Sequence, residues 1–309
     1  MAEADQTTPF TNPLRFQETL DSLPKALKDV LTSYSNIPED KQIEHVLKLR
    51  NEAYTAFPYP CIGMFRFIEF DLSAHFAYQE HVLRPLKQPV VSNGTVEPLF
   101  LDLGTCFGQD LRKLVYDGAI VDRLWASDIE PRFIELGFKL FNDAQKLPSD
   151  HFLCPGNLLS DSPDDKLRLL DDKVTILHMT AVFHLFSLTD QKIIADRCLR
   201  LLRKDTGGQV LLLGSQVGST APGPYERQSA SQDYTHKYRH NEQTWKELWE
   251  EVCERENWKD KVKSVEVKSK LLDRTQKKDP ESGKITVFTP ASPGSTLVWQ
   301  MFAVWITFS

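Results

Sequence analysis

The chain has 309 residues, of which 41% are hydrophobic, 26% charged and 10% aromatic, a balance that excludes a disordered or fibrous protein. Lysine and arginine number 37 against 43 acidic residues, so the net charge is −6, and no long basic run occurs. That argues against nucleic acid or an anionic membrane surface as the main partner and leaves a small ligand, held by one elaborated domain, as the expectation.

The start, Met1-Ala2-Glu3-Ala4-Asp5, is acidic and leads into no apolar stretch, so no secretory signal is expected. The most apolar segment, Leu297 to Phe308, is interrupted by Gln300 and falls short of the roughly 18 apolar residues of a membrane span. Cys61, Cys106, Cys154, Cys198 and Cys253 are scattered, with no C-x-x-C, as in a cytoplasmic protein with reduced thiols and no metal site. The sequon Asn93-Gly94-Thr95 would then go unused.

Up to about residue 95 the pattern is helical. Leu23, Leu27, Val30, Leu31 and Tyr34 fall at helical spacing, and Pro38 opens a second helix carrying Ile43, Val46, Leu47 and Arg50. The run Ala56 to Phe67, with its prolines, glycine and aromatics, reads as an ordered apolar loop. A third helix is expected over Ser73 to Leu83, then a connection from Pro85 to Pro98.

From Leu99 strands and helices alternate. The strands are Leu99–Leu103, Arg123–Ser127, Phe152–Cys154, Val174–His178 and Gln209–Gly214, with helices after Gly108, from Pro131, and from Asp190 to Arg203 behind a Thr189 cap and a Leu188/Ile193 staple. Parallel strands joined this way require a doubly wound α/β sheet. A polar stretch from Gln216 to His240 leads to a helix with Trp245, Leu248, Trp249 and Val252 on one face, a helix core or dimer surface, with Thr244 and Glu247 as its capping box. Val262 to Leu271 alternates, a charged loop runs over Lys268 to Lys284, and Leu297 to Phe308 closes the chain as a long strand. These two late strands form a hairpin that places the last one antiparallel.

The chemistry concentrates where strands end. Leu101-Asp102-Leu103-Gly104-Thr105-Cys106-Phe107-Gly108-Gln109-Asp110 carries a strand through a glycine turn into a helix, which brings backbone close to a ligand. Asp128 ends the next strand 24 residues after Gly104, where a carboxylate accepts from ribose hydroxyls; its alternative role is a helix cap before Pro131. The turn is not G-x-G-x-x-G, and Asp110 at the helix start would repel a pyrophosphate while accepting from an α-ammonium group. A nucleoside joined to an amino acid fits better than NAD.

On these residues the chain resembles class I S-adenosylmethionine-dependent methyltransferases over Leu99 to Ser309. Together with Tyr59-Pro60-Cys61-Ile62-Gly63 and Phe183-His184-Leu185-Phe186 it is similar to fungal methyltransferases of polyketide and meroterpenoid biosynthesis over nearly its whole length. The resemblance implies a Rossmann-like core, residues 96–309, with residues 1–95 as a helical cap in the same domain, and S-adenosyl-L-methionine as cofactor. It implies Gly104, Thr105 and Gly108 under the methionine part, with Cys106 standing where glycine is usual, and Asp102 or Asp110 near the ammonium. Asp128 would meet the ribose, Ile129 the adenine ring, Asn157 beside Leu158 the adenine amino group, and His178, Met179 and Thr180 the junction with the acceptor. A homodimer is a further expectation from the family.

The acceptor implied is a hydrophobic secondary metabolite, above all a carboxylic acid, which with a pKa near ~4 arrives deprotonated and needs a clamp but no base. Arg66, Tyr59 and His240 are clamp candidates; a phenol would instead call on His184 or His178 as base. Each has a structural alternative: His184 as a core histidine, Arg66 as a cation stacked on Phe65 or Phe67. Two other functions stay open, a rearrangement or cyclisation in the same pocket and a non-catalytic cofactor-binding partner protein.

Overall fold

Pro24 and Pro38 are the last extended residues before two helices, α1 (Lys25–Ser33) and α2 (Glu39–Ala56), since proline fixes φ and has no N–H for a preceding turn. The computed structural model describes residues 16–89, 96–228, 234–273, 276–278, 285–287 and 298–309. The expected sequon, the first five residues and much of the charged run before Lys284 lie outside them. Leu27, Val30, Leu31, Val46, Leu49 and Ala53 are buried, and each large aliphatic side chain removed from water contributes about 2 kcal/mol.

The aromatic run is irregular, as expected, apart from the four-residue α3 (Pro60–Gly63) and a tight turn at Arg66–Ile68, with Phe65 at φ 54°. Arg50 holds this run: its Nη1 donates to the carbonyls of Gln17 (2.6 Å) and Gly63 (2.8 Å), and its guanidinium lies over Phe16 and Phe65. The helix expected from Ser73 begins only at Tyr78. The His75 ring takes the Ala77 N–H at 3.1 Å and diverts the backbone into turns. A wide turn, Tyr78–Leu83, then passes into α4 (Arg84–Lys87), where Pro85 sits at the helix start.

The sheet comprises β1 (Phe100–Leu103), β2 (Leu124–Ser127), β3 (Phe152–Leu153), β4 (Ile176–His178), β5 (Gln209–Val217), β8 (Val262–Asp273) and β11 (Val298–Phe308), in the order β3-β2-β1-β4-β5-β11-β8. The first five are parallel, and β11 runs antiparallel to both neighbours, β5 and β8. Helices α5 (Gln109–Tyr116), α6 (Pro131–Phe141), α7 (Leu188–Leu201) and α8 (Glu242–Cys253) follow β1, β2, β4 and the insert after β5. Two short hairpins, β6 (Gly223–Gln228) with β7 (Tyr234–Arg239) and β9 (Gln276–Lys278) with β10 (Ile285–Val287), lie outside the main sheet. The first occupies the stretch expected to be merely polar.

Two helix starts differ from expectation. The Ser187 hydroxyl, not Thr189, accepts the Asp190 N–H, so Leu188 is already helical and cannot act as a staple residue ahead of the cap. Asn241 and Thr244, not Thr244 and Glu247, form the capping box of α8. Trp245 and Trp249 are fully buried, in a core with Leu101, Leu177, Leu212 and Phe302 on one face of the sheet. Phe100, Ile176, Leu211, Leu213 and Ala303 fill the other face. A third cluster joins residues of α1, α2 and the aromatic run to Phe107, Phe133 and Leu136. Beside it Arg112 and Asp143, both fully buried, form a two-point ion pair (2.8 and 3.1 Å) that also receives the Tyr34 hydroxyl at 2.7 Å.

Candidate active site

β1 lies between β2 and β4, so the carboxyl ends of β1 and β4 open a crevice at the switch point of the strand order. Ionisable side chains end both strands. His178 Nδ1 donates to Asp102 Oδ1 over 2.7 Å, the Thr105 hydroxyl donates to Asp102 Oδ2 over 2.6 Å, and His178 Nε2 lies 2.9 Å from Thr180 Oγ1. Asp110, at the start of α5, accepts the Leu72 N–H at 3.1 Å. Burial pushes the Asp110 carboxyl up to about 7; His178 pulls it back, while Asp102 and Asp71 add to the rise. Burial acts to lower His178, but the charge and hydrogen bond of Asp102, with Asp110 and Asp71, outweigh it and raise the imidazole above its usual range.

The turn beneath this cluster is left-handed at Gly104 (φ 71°), Cys106 (φ 54°) and Gly108 (φ 65°). Cys106 thus holds a backbone conformation that glycine adopts freely, at the strain of a non-glycine residue there. Only glycine serves at Gly104, where a Cβ would stand 2.4 Å from Val182 Cγ2. Gly104 and Thr105 N–H both donate to the Ser127 carbonyl (2.9 and 3.0 Å), which fastens the turn to the end of β2. The close helix packing that a third glycine of a dinucleotide motif would give comes from Gly137 on α6, whose Cβ would sit 2.4 Å from the Phe107 carbonyl.

Asp128 accepts the N–H of Cys106 at Oδ2 (2.8 Å) and of Glu130 at Oδ1 (3.0 Å). Burial raises its carboxyl against these backbone donors. The Ile129 N–H also faces this carboxylate, and of its roughly four lone-pair sites one is left for a ribose hydroxyl. Ile129, 53% exposed, offers an apolar wall next to it. Asn157 is exposed and its Oδ1 accepts the Leu159 N–H at 3.0 Å, while Leu158 packs on the core. Met179 turns its side chain into the core, and its N–H donates to the Leu213 carbonyl at 2.9 Å, so it fastens β4 to β5. S-adenosylmethionine fits these residues: an acidic surplus around one imidazole suits its ammonium, the glycine turn admits its amino-acid end, and Asp128 with Ile129 suits the nucleoside.

Of the four acceptor-side candidates, the structure brings two together. The Arg66 guanidinium lies 4.9 Å over the Trp299 ring and 4.0 Å from Asp71, and the His184 ring lies 6.3 Å from the same indole. Arg66 therefore stacks on Trp299; the cation over Phe65 is Arg50. His184 Nδ1 faces the Val217 N–H at 3.5 Å. Tyr59 sits on the nucleoside side, against Phe57 and Phe133, and burial, then Cys61, Asp128, Glu130 and Cys106, push its phenol up to about 12. His240 is not brought to the crevice: it is 1% exposed, with Nε2 3.0 Å from Gln191 Oε1 and Nδ1 3.0 Å from Thr244 Oγ1. Burial pushes its ring down to about 4, so it carries no charge for a clamp near neutrality.

Asp71 and Trp299 escaped the sequence reading. Trp299 reaches the crevice only because β11 pairs with β5 in the register Trp299↔Val217. Asp71 does so because the turns around His75 fold it back toward β1. The alternation of the last strand was the only signal for the former. Among the described residues no helix is long and apolar enough to cross a membrane.

Residues 15–68 match a family profile described as the meroterpenoid methyltransferase N-terminal domain. O-methyltransferase phiE of Fungal sp. (strain ATCC 74256) is 30% identical over 251 residues, 81% of this chain and 78% of that one. Methyltransferase prhM of Penicillium brasilianum is 31% identical over 265 residues, 86% of this chain and 89% of its own. Asnovolin E/Chermesin D methyltransferase nvfJ of Aspergillus novofumigatus is 39% identical over 191 residues, 62% of this chain and 64% of its own. A sheet ending in an acid-lined glycine turn, joined to sequence likeness over most of the length, shows that the chain belongs to the fungal S-adenosylmethionine-dependent O-methyltransferases of secondary metabolism.

Proposed function

We propose that the acceptor is a hydrophobic carboxylic acid of meroterpenoid or polyketide type, methylated on its carboxylate oxygen. The observation that carries the reading is Arg66, a partly buried guanidinium held over Trp299 beside the crevice. An arginine so placed takes a carboxylate through parallel N–H donors, and the indole gives the adjoining carbon skeleton an apolar surface. The Aspergillus relative is named for asnovolin E and chermesin D, and likeness to it supports a meroterpenoid skeleton.

When bound, S-adenosylmethionine supplies a methyl group already activated on sulfonium, so that a C–O bond forms as the C–S bond breaks and the electron pair stays on sulfur. A carboxylate brings no proton to remove, and the side chains accord with that. His178 is biased toward its protonated form, and Tyr59 is held neutral well above physiological pH. The work left to the protein is alignment: Asp128 and the acidic cluster hold the two ends of the cofactor, and Arg66 turns the acceptor oxygen toward it. Residues 1–95 act as a cap over the core of residues 96–309, a role supported by the apolar cluster that Phe65 and Phe67 share with Phe107 and Phe133.

The test is methyl transfer from S-adenosylmethionine to a panel of terpenoid acids, their alcohols and related phenols, with product mass as readout. Methyl esters from the acids, with KM raised on the order of tenfold or more in Arg66→Met and kcat much less affected, are expected. Methylation of the phenols alone would overturn the reading.

A further inference from the structure

The Asp102–His178 pair continues one residue further than cofactor binding requires. Thr180 Oγ1 lies 2.9 Å from His178 Nε2, on the side of the ring away from Asp102. A threonine hydroxyl has one proton to give, so the state of the ring decides where it goes. With His178 as imidazolium, both ring nitrogens donate, Nδ1 to Asp102 and Nε2 to Thr180. Thr180 Oγ1 is then an acceptor on that side, and its own proton is free for a ligand. With His178 neutral and Nδ1 still donating to Asp102, Nε2 takes the Thr180 proton and only lone pairs face outward.

The placement of Thr180 supports a ligand contact. It follows the end of β4, and the next residue, Ala181, is left-handed (φ 60°), which swings Val182 onto Gly104 at the bottom of the turn. Ala181 N–H donates to the carbonyl of Ser215 (2.7 Å) on β5. Ser215 is 3% exposed, and its hydroxyl has no hydrogen-bond partner among the described residues. Strand alternation sets it on the face of Leu211 and Leu213, the face that also carries Ile176 and therefore His178, whose ring holds the Thr180 hydroxyl. A buried hydroxyl without a partner, on the same sheet face as the ring that holds one with a proton to spare, is the expected lining for an oxygen-bearing group.

We propose that Thr180, held by His178, donates a hydrogen bond to a carboxylate oxygen of the bound ligand, with His178 as the positioning residue. For an acceptor carboxylate this rests on the acid-acceptor reading above. The same chemistry is met by the amino-acid end of the cofactor, and the two sources separate experimentally. The groups facing His178 are Asp102 on β1, Asp110 on α5, and Asp71 and His75 on the turns before Tyr78. The three carboxylates favour the imidazolium, and His75, pushed down to about 4 by burial, adds no charge near neutrality. Carboxylate binding is therefore strongest at low pH and weakens as the His178 proton is lost.

The experiment is calorimetric titration of wild type, Thr180→Val and Thr180→Ser with farnesoate, farnesol, S-adenosylhomocysteine and 5′-methylthioadenosine, each between about pH 6 and about pH 9. Expected is a loss of roughly tenfold or more in Thr180→Val at the low end, little change at the high end, and near wild-type binding in Thr180→Ser. The loss falls on farnesoate and spares farnesol if the acceptor is the source. It falls on S-adenosylhomocysteine and spares 5′-methylthioadenosine if the cofactor is. A folded Thr180→Val that binds every probe like wild type, or loses affinity equally at all pH, overturns the proposal. Should farnesoate bind no variant while S-adenosylhomocysteine shows the Thr180 effect, the acid-acceptor reading fails and the Thr180 assignment stands.

Discussion

The main-chain N–H of Cys106 donates to the Asp128 carboxylate over 2.8 Å, so the acid at the end of β2 holds the glycine turn that follows β1. The turn and the end of β2 are therefore one mechanical unit.

Asp128→Ala is expected to weaken S-adenosylhomocysteine binding by about 1.5 to 3 kcal/mol, the range for a hydrogen-bonded charged group. Asp128→Asn, which keeps one carbonyl oxygen for the Cys106 or Glu130 N–H, should lose less. Titration calorimetry on the two folded variants decides, and equal affinity to wild type would remove Asp128 from the site.

Gly137→Ala would press a methyl group onto the Phe107 carbonyl, backbone that cannot rotate away. The substitution should cost about 1 to 3 kcal/mol of stability, as overpacking does, because α6 must shift from the turn. Denaturant unfolding measures the cost, and weaker cofactor binding should accompany it.

Asp143→Ala strands the Arg112 guanidinium in a fully buried site and removes the partner of the Tyr34 hydroxyl. Breaking one side of such a pair costs about 3 to 5 kcal/mol. The double variant Arg112→Met with Asp143→Leu should recover part of that loss in urea unfolding. Without recovery, the damage lies in packing and not in the stranded charge.

His240→Gln should keep methyl transfer close to wild type, since the ring bonds Gln191 and Thr244 away from the crevice. Its folded pKa, about 4, lies below the ordinary 6.5, so its neutral form stabilises the fold above about 6.5 and that contribution is lost as pH falls toward 4. The stability gap between wild type and variant should narrow over that window in thermal melts. A constant gap would mean that the ring does not titrate there.

The parallel strands, the glycine turn and Asp128 were legible in the sequence because each is local. Leu99 to Leu103 is a short apolar run that only a buried strand explains, and Gly104 and Asp128 follow strand ends directly. The antiparallel last strand was legible for the same reason, a long apolar run late in the chain. Cap residues two and three positions off, Ser187 for Thr189 and Asn241 for Thr244, show how weakly a hydroxyl or amide pattern fixes a boundary when neighbours compete for it.

What depends on distant contacts was decided only by tertiary structure. Gln300 looked like an interruption in an apolar strand, yet Gln216, 84 residues away, donates to it at 2.9 Å, and its own amide donates to the Asn241 carbonyl at 2.8 Å. Trp299 came beneath Arg66 through strand register, and His240 was buried between Gln191 and Thr244. The sequence by itself determined the sheet, its switch point and the acidic glycine turn after β1, because period and strand ends are properties of neighbouring residues. That Arg66 lies over Trp299 and that His240 is sealed between Gln191 and Thr244 was decided by packing, because those placements depend on groups that only folding brings together.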